Sequence, residues 1–229
     1  PVRRDPGHVA NTNRIVRRAR TKRYAYYPAD VQKVQHVEQN IRQDMTSESL
    51  LGKAQLTWSK VSANVFKFFQ NGQFTSTAAV IGDKVHVPLH SHVDDATRRI
   101  VNTTVSAEIR GEVLPTSEDG GVFFHYGAVK PSVMQYRPPK NEGVMLVSFS
   151  SADQVEPSLS IGFASTDGLA NYPSVPGDCG GLVIAVSDGA VVGTHVAGGT
   201  EVNRFEPMTE DRIKRFKANA PVLASMLFQ

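Results

Sequence analysis

The sequence contains one cysteine, Cys179. A single thiol excludes an internal disulfide framework and any zinc site built on several cysteines, and it suits a reducing compartment. No apolar run approaches the roughly 20 residues of a membrane span, so no span of its own is expected. The first residues are crowded with arginine and are not expected to act as a signal peptide. What is present is ordinary for a globular protein: 229 residues, 40% hydrophobic and 21% charged, which excludes wholesale disorder.

Net positive charge is confined to the beginning of the chain. Residues 1–24 hold Arg3, Arg4, Arg14, Arg17, Arg18, Arg20, Lys22 and Arg23 against Asp5 alone. That is a net +7 in a chain whose total is +3, which leaves −4 for the other 205 residues. The stretch lacks hydrophobic periodicity, so 1–27 is expected to be a basic flexible arm. Arg14, Arg17, Arg18, Arg20, Lys22 and Arg23 are its candidate phosphate contacts, with Tyr24, Tyr26 and Tyr27 available to stack on bases. A solvated tail or processing remnant is the other reading.

Val34, Val37, Ile41 and Met45 recur at spacings of three and four behind Pro28, which predicts a helix over 29–45. From about residue 53, short runs rich in valine, threonine and aromatics alternate with turn signals such as Asn71-Gly72 and Gly82-Asp83. Strands are predicted over 61–69, 73–81, 84–89, 98–109, 121–126, 143–150, 158–165, 181–186 and 190–198. Many strands at this spacing, without helices between them, predict an all-β protein of two antiparallel barrels. The proline-rich stretch 131–142 divides it into 28–130, the helix plus first barrel, and 143–229, the second barrel with a C-terminal helix and tail. Thr209 is the expected cap of that last helix, with Ile213 and Phe216 facing inward.

Chemistry is concentrated in 172-YPSVPGDCGGLVI-184. Glycines on both sides of Cys179 permit a tight turn and a close backbone approach. Such a turn can aim the N–H groups of Gly177 and Cys179 at one spot, as a developing oxyanion requires. A buried cysteine beside a β-turn is the alternative. A cysteine nucleophile needs a base. In the cluster His86, His90 and His92, the middle histidine lies where a strand hands over to a loop; the cluster has no second cysteine or spaced carboxylate that would favour zinc, and no metal is expected. His125 fits a core histidine, and His8 and His36 fit the surface. In 193-GTHVAGG-199 small residues leave room beside His195, which is otherwise a satisfied sheet histidine.

The order histidine, acid, cysteine in a two-part β chain is that of the chymotrypsin-type constellation; papain-like enzymes place cysteine first. The segments 82-GDKVHVPLHSH-92, 172-YPSVPGDCGG-181 and 193-GTHVAGG-199, with sixteen positions between Cys179 and His195, resemble the 3C-type main proteases of picornaviruses and their relatives. The resemblance covers about 30–220 and leaves the arm outside. It implies a chymotrypsin-like fold with Cys179 as nucleophile, His90 as general base and then acid, and an oxyanion hole at Gly177 and Cys179. It implies that His195 donates to the side chain of a glutamine before the scissile bond. Ser174 occupies the position of a hydroxyl that assists, and Tyr172 packs on the imidazole and keeps it neutral. The acid of that family opens a strand after a hairpin, which selects Asp119 in 117-SEDGGVFF-124, with Glu118 its near rival and Glu112 a distant one.

The implied activity is that of a viral polyprotein-processing cysteine endopeptidase without a cofactor, working in the host cytoplasm at replication sites. Its partners would be a polyprotein with glutamine before the cut and viral RNA. The final 223-LASMLFQ-229 ends in the glutamine that self-excision would leave, whereas Pro1 does not suit the other side of such a cut. The connector holds only Lys130, Arg137 and Lys140 where picornaviral members carry a basic RNA-contacting motif, which weighs against RNA binding there. The rival function is an RNA-binding replication protein acting through the arm. A cellular trypsin-like scaffold that happens to carry cysteine is less attractive, because it leaves the His195 strand without a purpose.

Overall fold

The computed structural model describes residues 58, 61–82, 84–110, 113–115, 121–125, 134–199 and 202–218. The basic arm, the helix expected over 29–45, and the carboxylates Glu112, Glu118 and Asp119 lie outside the described residues. So do the six arm residues assigned to phosphate contact.

Thirteen strands are present among the described residues. The first seven are β1 (Val65–Gln70), β2 (Gln73–Ile81), β3 (Lys84–Pro88), β4 (Arg98–Val101), β5 (Ser106–Glu108), β6 (Val113–Pro115) and β7 (Gly121–His125). They form one sheet in the order β5-β4-β1-β2-β3-β7-β6. The remaining six are β8 (Glu142–Ser148), β9 (Ser158–Ala164), β10 (Leu169–Ala170), β11 (Leu182–Ala185), β12 (Val191–Ala197) and β13 (Asn203–Pro207), followed by the helix α1 (Glu210–Ala218). These six close into a barrel in the order β10-β13-β12-β11-β8-β9. Every ladder between named strands is antiparallel. The all-β expectation holds, with one difference: only the second unit is closed by ladders among the described residues.

Near-continuous apolar runs in β2, β8 and β11 follow from burial on both faces. In β8, Val144 and Leu146 point into the barrel with Val183, Ala185 and Val192, while Met145 and Val147 face outward. The outward pair meets Val65, Ala79 and Ile81 of the first sheet, together with Leu182, Ile184 and Phe216, in one apolar core. Alternate residues of β1 and β2, Phe66, Phe68, Ala78 and Val80, fill the first unit with Val85, Val87 and Ile100. The period of two therefore feeds two cores at once. Burial of each such side chain is worth about 1.5–3 kcal/mol, so the seam between the units is a core in its own right.

Two local expectations change. The run 61–69 begins as a helical turn closed by Asn64 N–H to Val61 O at 2.9 Å, and the strand starts at Val65. The run 98–109 is a hairpin, β4 and β5, because Asn102 Oδ1 accepts from the N–H groups of Thr104 and Val105 and bends the chain there. At the other end, Arg212 N–H donates to Thr209 Oγ1 at 3.1 Å, the N-cap expected of Thr209. Phe216 of that helix is buried in the seam.

Arg212 docks α1 on both units. Its Nη2 donates to Thr194 Oγ1 of β12 at 3.0 Å and lies 3.2 Å from His86 Nε2 of β3. Its Nη1 donates to Glu206 O at 2.8 Å, and Glu206 Oε2 lies 3.2 Å from Nη2. Burial lowers the Arg212 guanidinium to about 10, against the counter-pull of Glu206.

Candidate active site

Two successive turns, Val175–Asp178 and Asp178–Gly181, lead into and carry Cys179. Asp178 N–H donates to Val175 O at 3.2 Å and Gly181 N–H donates to Asp178 O at 2.9 Å. Each turn carries glycine at its third position with positive φ, +102° at Gly177 and +94° at Gly180, and Pro176 occupies the second position of the first turn. This is the type II pattern, which excludes most side chains at the third position. Space excludes them as well. A Cβ at Gly177 would stand 2.6 Å from Ser150 O, and one at Gly180 2.0 Å from Thr77 O and 2.9 Å from Pro88 Cδ. The glycines thus let the cysteine turn press against the strand end that leads to His90.

A buried carboxylate holds the turn from beneath. Asp178 Oδ1 accepts from the hydroxyls of Ser148 and Ser150, each at 2.9 Å, and Oδ2 from Val175 N–H at 2.7 Å. Because the Asp178 carbonyl is fixed on Gly181, the planar trans peptide aims the Cys179 N–H the opposite way. The thiol itself donates to Val196 O at 3.5 Å. That carbonyl belongs to a bulge, since His195 pairs with Phe205 and Ala197 with Arg204. Bulges of this kind re-aim groups beside functional sites.

His195 is joined to the cysteine turn through the backbone. Gly180 N–H donates to His195 O at 2.7 Å, and His195 N–H donates to Gly181 O at 2.8 Å. Its ring is buried, with Nδ1 3.1 Å from Tyr172 Oη and the two rings edge to face at 5.6 Å. Burial pushes His195 down to about 3, and the charge of nearby His90 pushes the same way. Burial raises the Tyr172 phenol well above its usual range, as do the charges of Cys179 and Asp178, so both groups are neutral at pH 7. Ser174 Oγ donates to Asn203 Oδ1 at 2.5 Å, and Asn203 Nδ2 donates to Tyr172 O. Gly199 N–H also donates to Asn203 Oδ1, at 3.2 Å.

The structure separates the three histidines of the cluster. His86 is fully buried, and burial followed by the Arg212 charge lowers it well below its usual value; it is part of the docking site of α1. His92 Nε2 pairs with exposed Asp94 at 3.2 Å. His90 is half-buried on a short 3₁₀ turn, Leu89–Ser91, and is the one whose charge reaches His195. Gln70 braces this turn, its Oε1 accepting from Val93 N–H at 2.8 Å and its Nε2 donating to Ser91 O. Gly121, two positions after Asp119, pairs with Pro88, two positions before His90.

Several solved structures share this architecture. Tobacco etch virus protease complexed with product matches with a TM-score of 0.56 at 16% identity, over 70% of this chain and 80% of that one. Tobacco vein mottling virus protease matches at 0.54 and 15%, over 68% and 82%. The HtrA-type protease AlgW with decapeptide matches at 0.56 and 10%, over 70% and 65%. The fold is chymotrypsin-like. No protein-family model and no curated protein matches the chain.

Within this chymotrypsin-like fold, Cys179, His195, Tyr172, Ser174 and Gly177 lie on the second unit and His90 on the first, with Gly180 against Pro88 between them. Sequence reasoning assigned no role to Asp178, Gln70, Asn203 or Thr77. An acidic residue between the turn glycines was visible for Asp178; the bonds by which the other three brace the site run to residues more than twenty positions away, which no local pattern announces.

Proposed function

We propose that this chain is a cysteine endopeptidase that cleaves after glutamine. The observation that carries the reading is a neutral, tyrosine-bonded His195 tied by two backbone hydrogen bonds to the turn of the lone cysteine. With the Tyr172 phenol donating to Nδ1, the ring proton stays on Nε2, a donor matched to a glutamine side-chain oxygen. A pocket of this kind rejects substrates that leave its buried donor unpaired.

Cys179 Sγ attacks the scissile carbonyl carbon while His90 takes the thiol proton, and the carbonyl π pair moves onto oxygen. The N–H groups of Gly177 and Cys179 stabilise that oxyanion. As the oxyanion collapses, the C–N bond breaks and His90 returns the proton to the leaving amine, leaving a thioester on Cys179. Water, deprotonated by His90, then releases the carboxylic acid and the thiol. Asp119, with Glu118 as its rival, orients His90. The substrate is a viral polyprotein, processed in the host cytoplasm.

The basic stretch 1–24 favours a second role, RNA binding that weakens with salt. Arg137 in the connector does not serve that role, being held bidentately by Glu142 at 2.7 Å and also by Asp188 at 2.7 Å.

The test is cleavage of a glutamine-containing junction peptide by the full chain and by its Cys179→Ala variant. Cleavage lost in the variant is expected; cleavage retained by it overturns the proposal.

A further inference from the structure

Thr77, on β2 of the first unit, is fully buried and is engaged entirely with the second unit in the hydrogen bonds that follow. Its N–H donates to Gly177 O at 2.9 Å and to Cys179 O at 3.0 Å. Its Oγ1 accepts from Phe149 N–H at 2.8 Å and shares its one proton between Phe149 O at 3.0 Å and Gly177 O at 3.1 Å.

These bonds bracket one peptide unit. Gly177 O belongs to the peptide before Asp178, and Cys179 O to the peptide after Cys179. Each is also held on its opposite edge, Asp178 N–H by Val175 O and Gly180 N–H by His195 O. Between the two lies the peptide that presents the Cys179 N–H. With both neighbours pinned to Thr77, the two Cα atoms that this unit spans are fixed in place across the seam, and its remaining rotation about them is stopped by Gly181 N–H on Asp178 O at 2.9 Å. The neighbouring strand β3, paired to β2 through Ala79 and His86, leads on to His90.

We propose that Thr77 is a positioning residue: its amide and hydroxyl, reaching from the first unit, set the direction of the oxyanion donors at Gly177 and Cys179. The inference rests on the reading of Cys179 as the nucleophile. One β-hairpin then both carries the base and aligns the hole on the other unit. The hydroxyl matters because small misplacements of preorganised groups cost large factors in rate.

Thr77→Val keeps the branched shape and the N–H but removes the hydroxyl, and Thr77→Ser restores it. Three readouts are compared: kinetics on the junction peptide, inhibition by a peptide aldehyde ending in glutamine, and alkylation of Cys179 by iodoacetamide. The aldehyde adds the thiol across its C=O to give a hemithioacetal whose oxygen sits in the hole, whereas alkylation forms no oxyanion. Thr77→Val is expected to lower kcat about tenfold with KM nearly unchanged, and to weaken the aldehyde by a similar factor. The alkylation rate should stay at the wild-type value, and Thr77→Ser should recover most of kcat. Unchanged kcat and aldehyde affinity overturn the proposal, as does an alkylation rate that falls in step with kcat. If Thr77→Val is not recovered folded, the ratio of aldehyde affinity to alkylation rate is read on Thr77→Ala, and an unchanged ratio overturns it. A wild-type chain that neither cleaves the peptide nor binds the aldehyde overturns the protease reading and the clamp together; wild-type activity with an unaffected Thr77→Val overturns the clamp alone.

Discussion

Tyr172 Oη and His195 Nδ1 stand 3.1 Å apart inside the second barrel, both side chains buried, with the backbone of His195 bonded to Gly180 and Gly181 on either side. The proposed glutamine pocket and the turn of Cys179 are thereby parts of one rigid unit. A displacement of either is transmitted to the other through two peptide groups.

Selectivity should be independent of pH where an ordinary histidine would titrate. His195 is held down to about 3, so it remains a neutral donor between pH 5 and 8. The ratio of kcat/KM for glutamine over glutamate substrates is expected to stay flat from pH 8 to about 6, where the glutamate side chain itself stays ionised. A ratio that falls toward glutamate on acidification through about pH 6.5 would mean an imidazolium forms in the pocket.

The same burial links stability to acid. In the unfolded chain His86 and His195 take up protons near pH 6.5, whereas the folded chain resists until His195 reaches about 3. The unfolded state therefore binds more protons below about pH 6.5, and stability falls as pH falls, by up to about 1.4 kcal/mol per pH unit for each histidine. Above that pH neither contributes a slope. Urea melts between pH 7 and 5 should show the decline, and His195→Gln should flatten it.

Tyr172→Phe removes the partner of Nδ1 while keeping the ring. Glutamine preference is expected to drop about tenfold, because the ring proton is no longer confined to Nε2. Alkylation of Cys179 should be unaffected, which separates a pocket defect from a collapsed turn.

Asp178→Ala leaves Val175 N–H and two serine hydroxyls without their acceptor in a buried site. A loss of about 2–4 kcal/mol is expected in denaturant melts, with activity falling alongside. Asp178→Asn should cost less, because Ser148 and Ser150 can turn their hydroxyls to accept from the amide.

Thr209→Ala removes the cap of α1 and should cost about 1 kcal/mol without changing kcat/KM. A larger kinetic effect would show that α1, through Arg212 and Thr194, bears on the neighbouring His195.

The strand pattern was legible because alternation of valines and aromatics, punctuated by Asn-Gly and Gly-Asp, is a local property. Thr209 and the turn of Cys179 were legible for the same reason: a cap and a type II turn are decided within four residues. Missed strands were short or mixed. In β13, Asn203, Arg204, Phe205, Glu206 and Pro207 carry a single large apolar side chain, which falls below any periodic signal.

By itself the sequence determined the β class and the tight turn that bears the thiol, since each depends on neighbours a few residues apart. Tertiary structure alone decided which of three close histidines reaches His195, and that Thr77, Gln70 and Asn203 hold the turns and pocket around it. Those roles arise where segments up to a hundred positions apart exclude water from one another, so that a hydrogen bond ordinary on the surface becomes costly to lose.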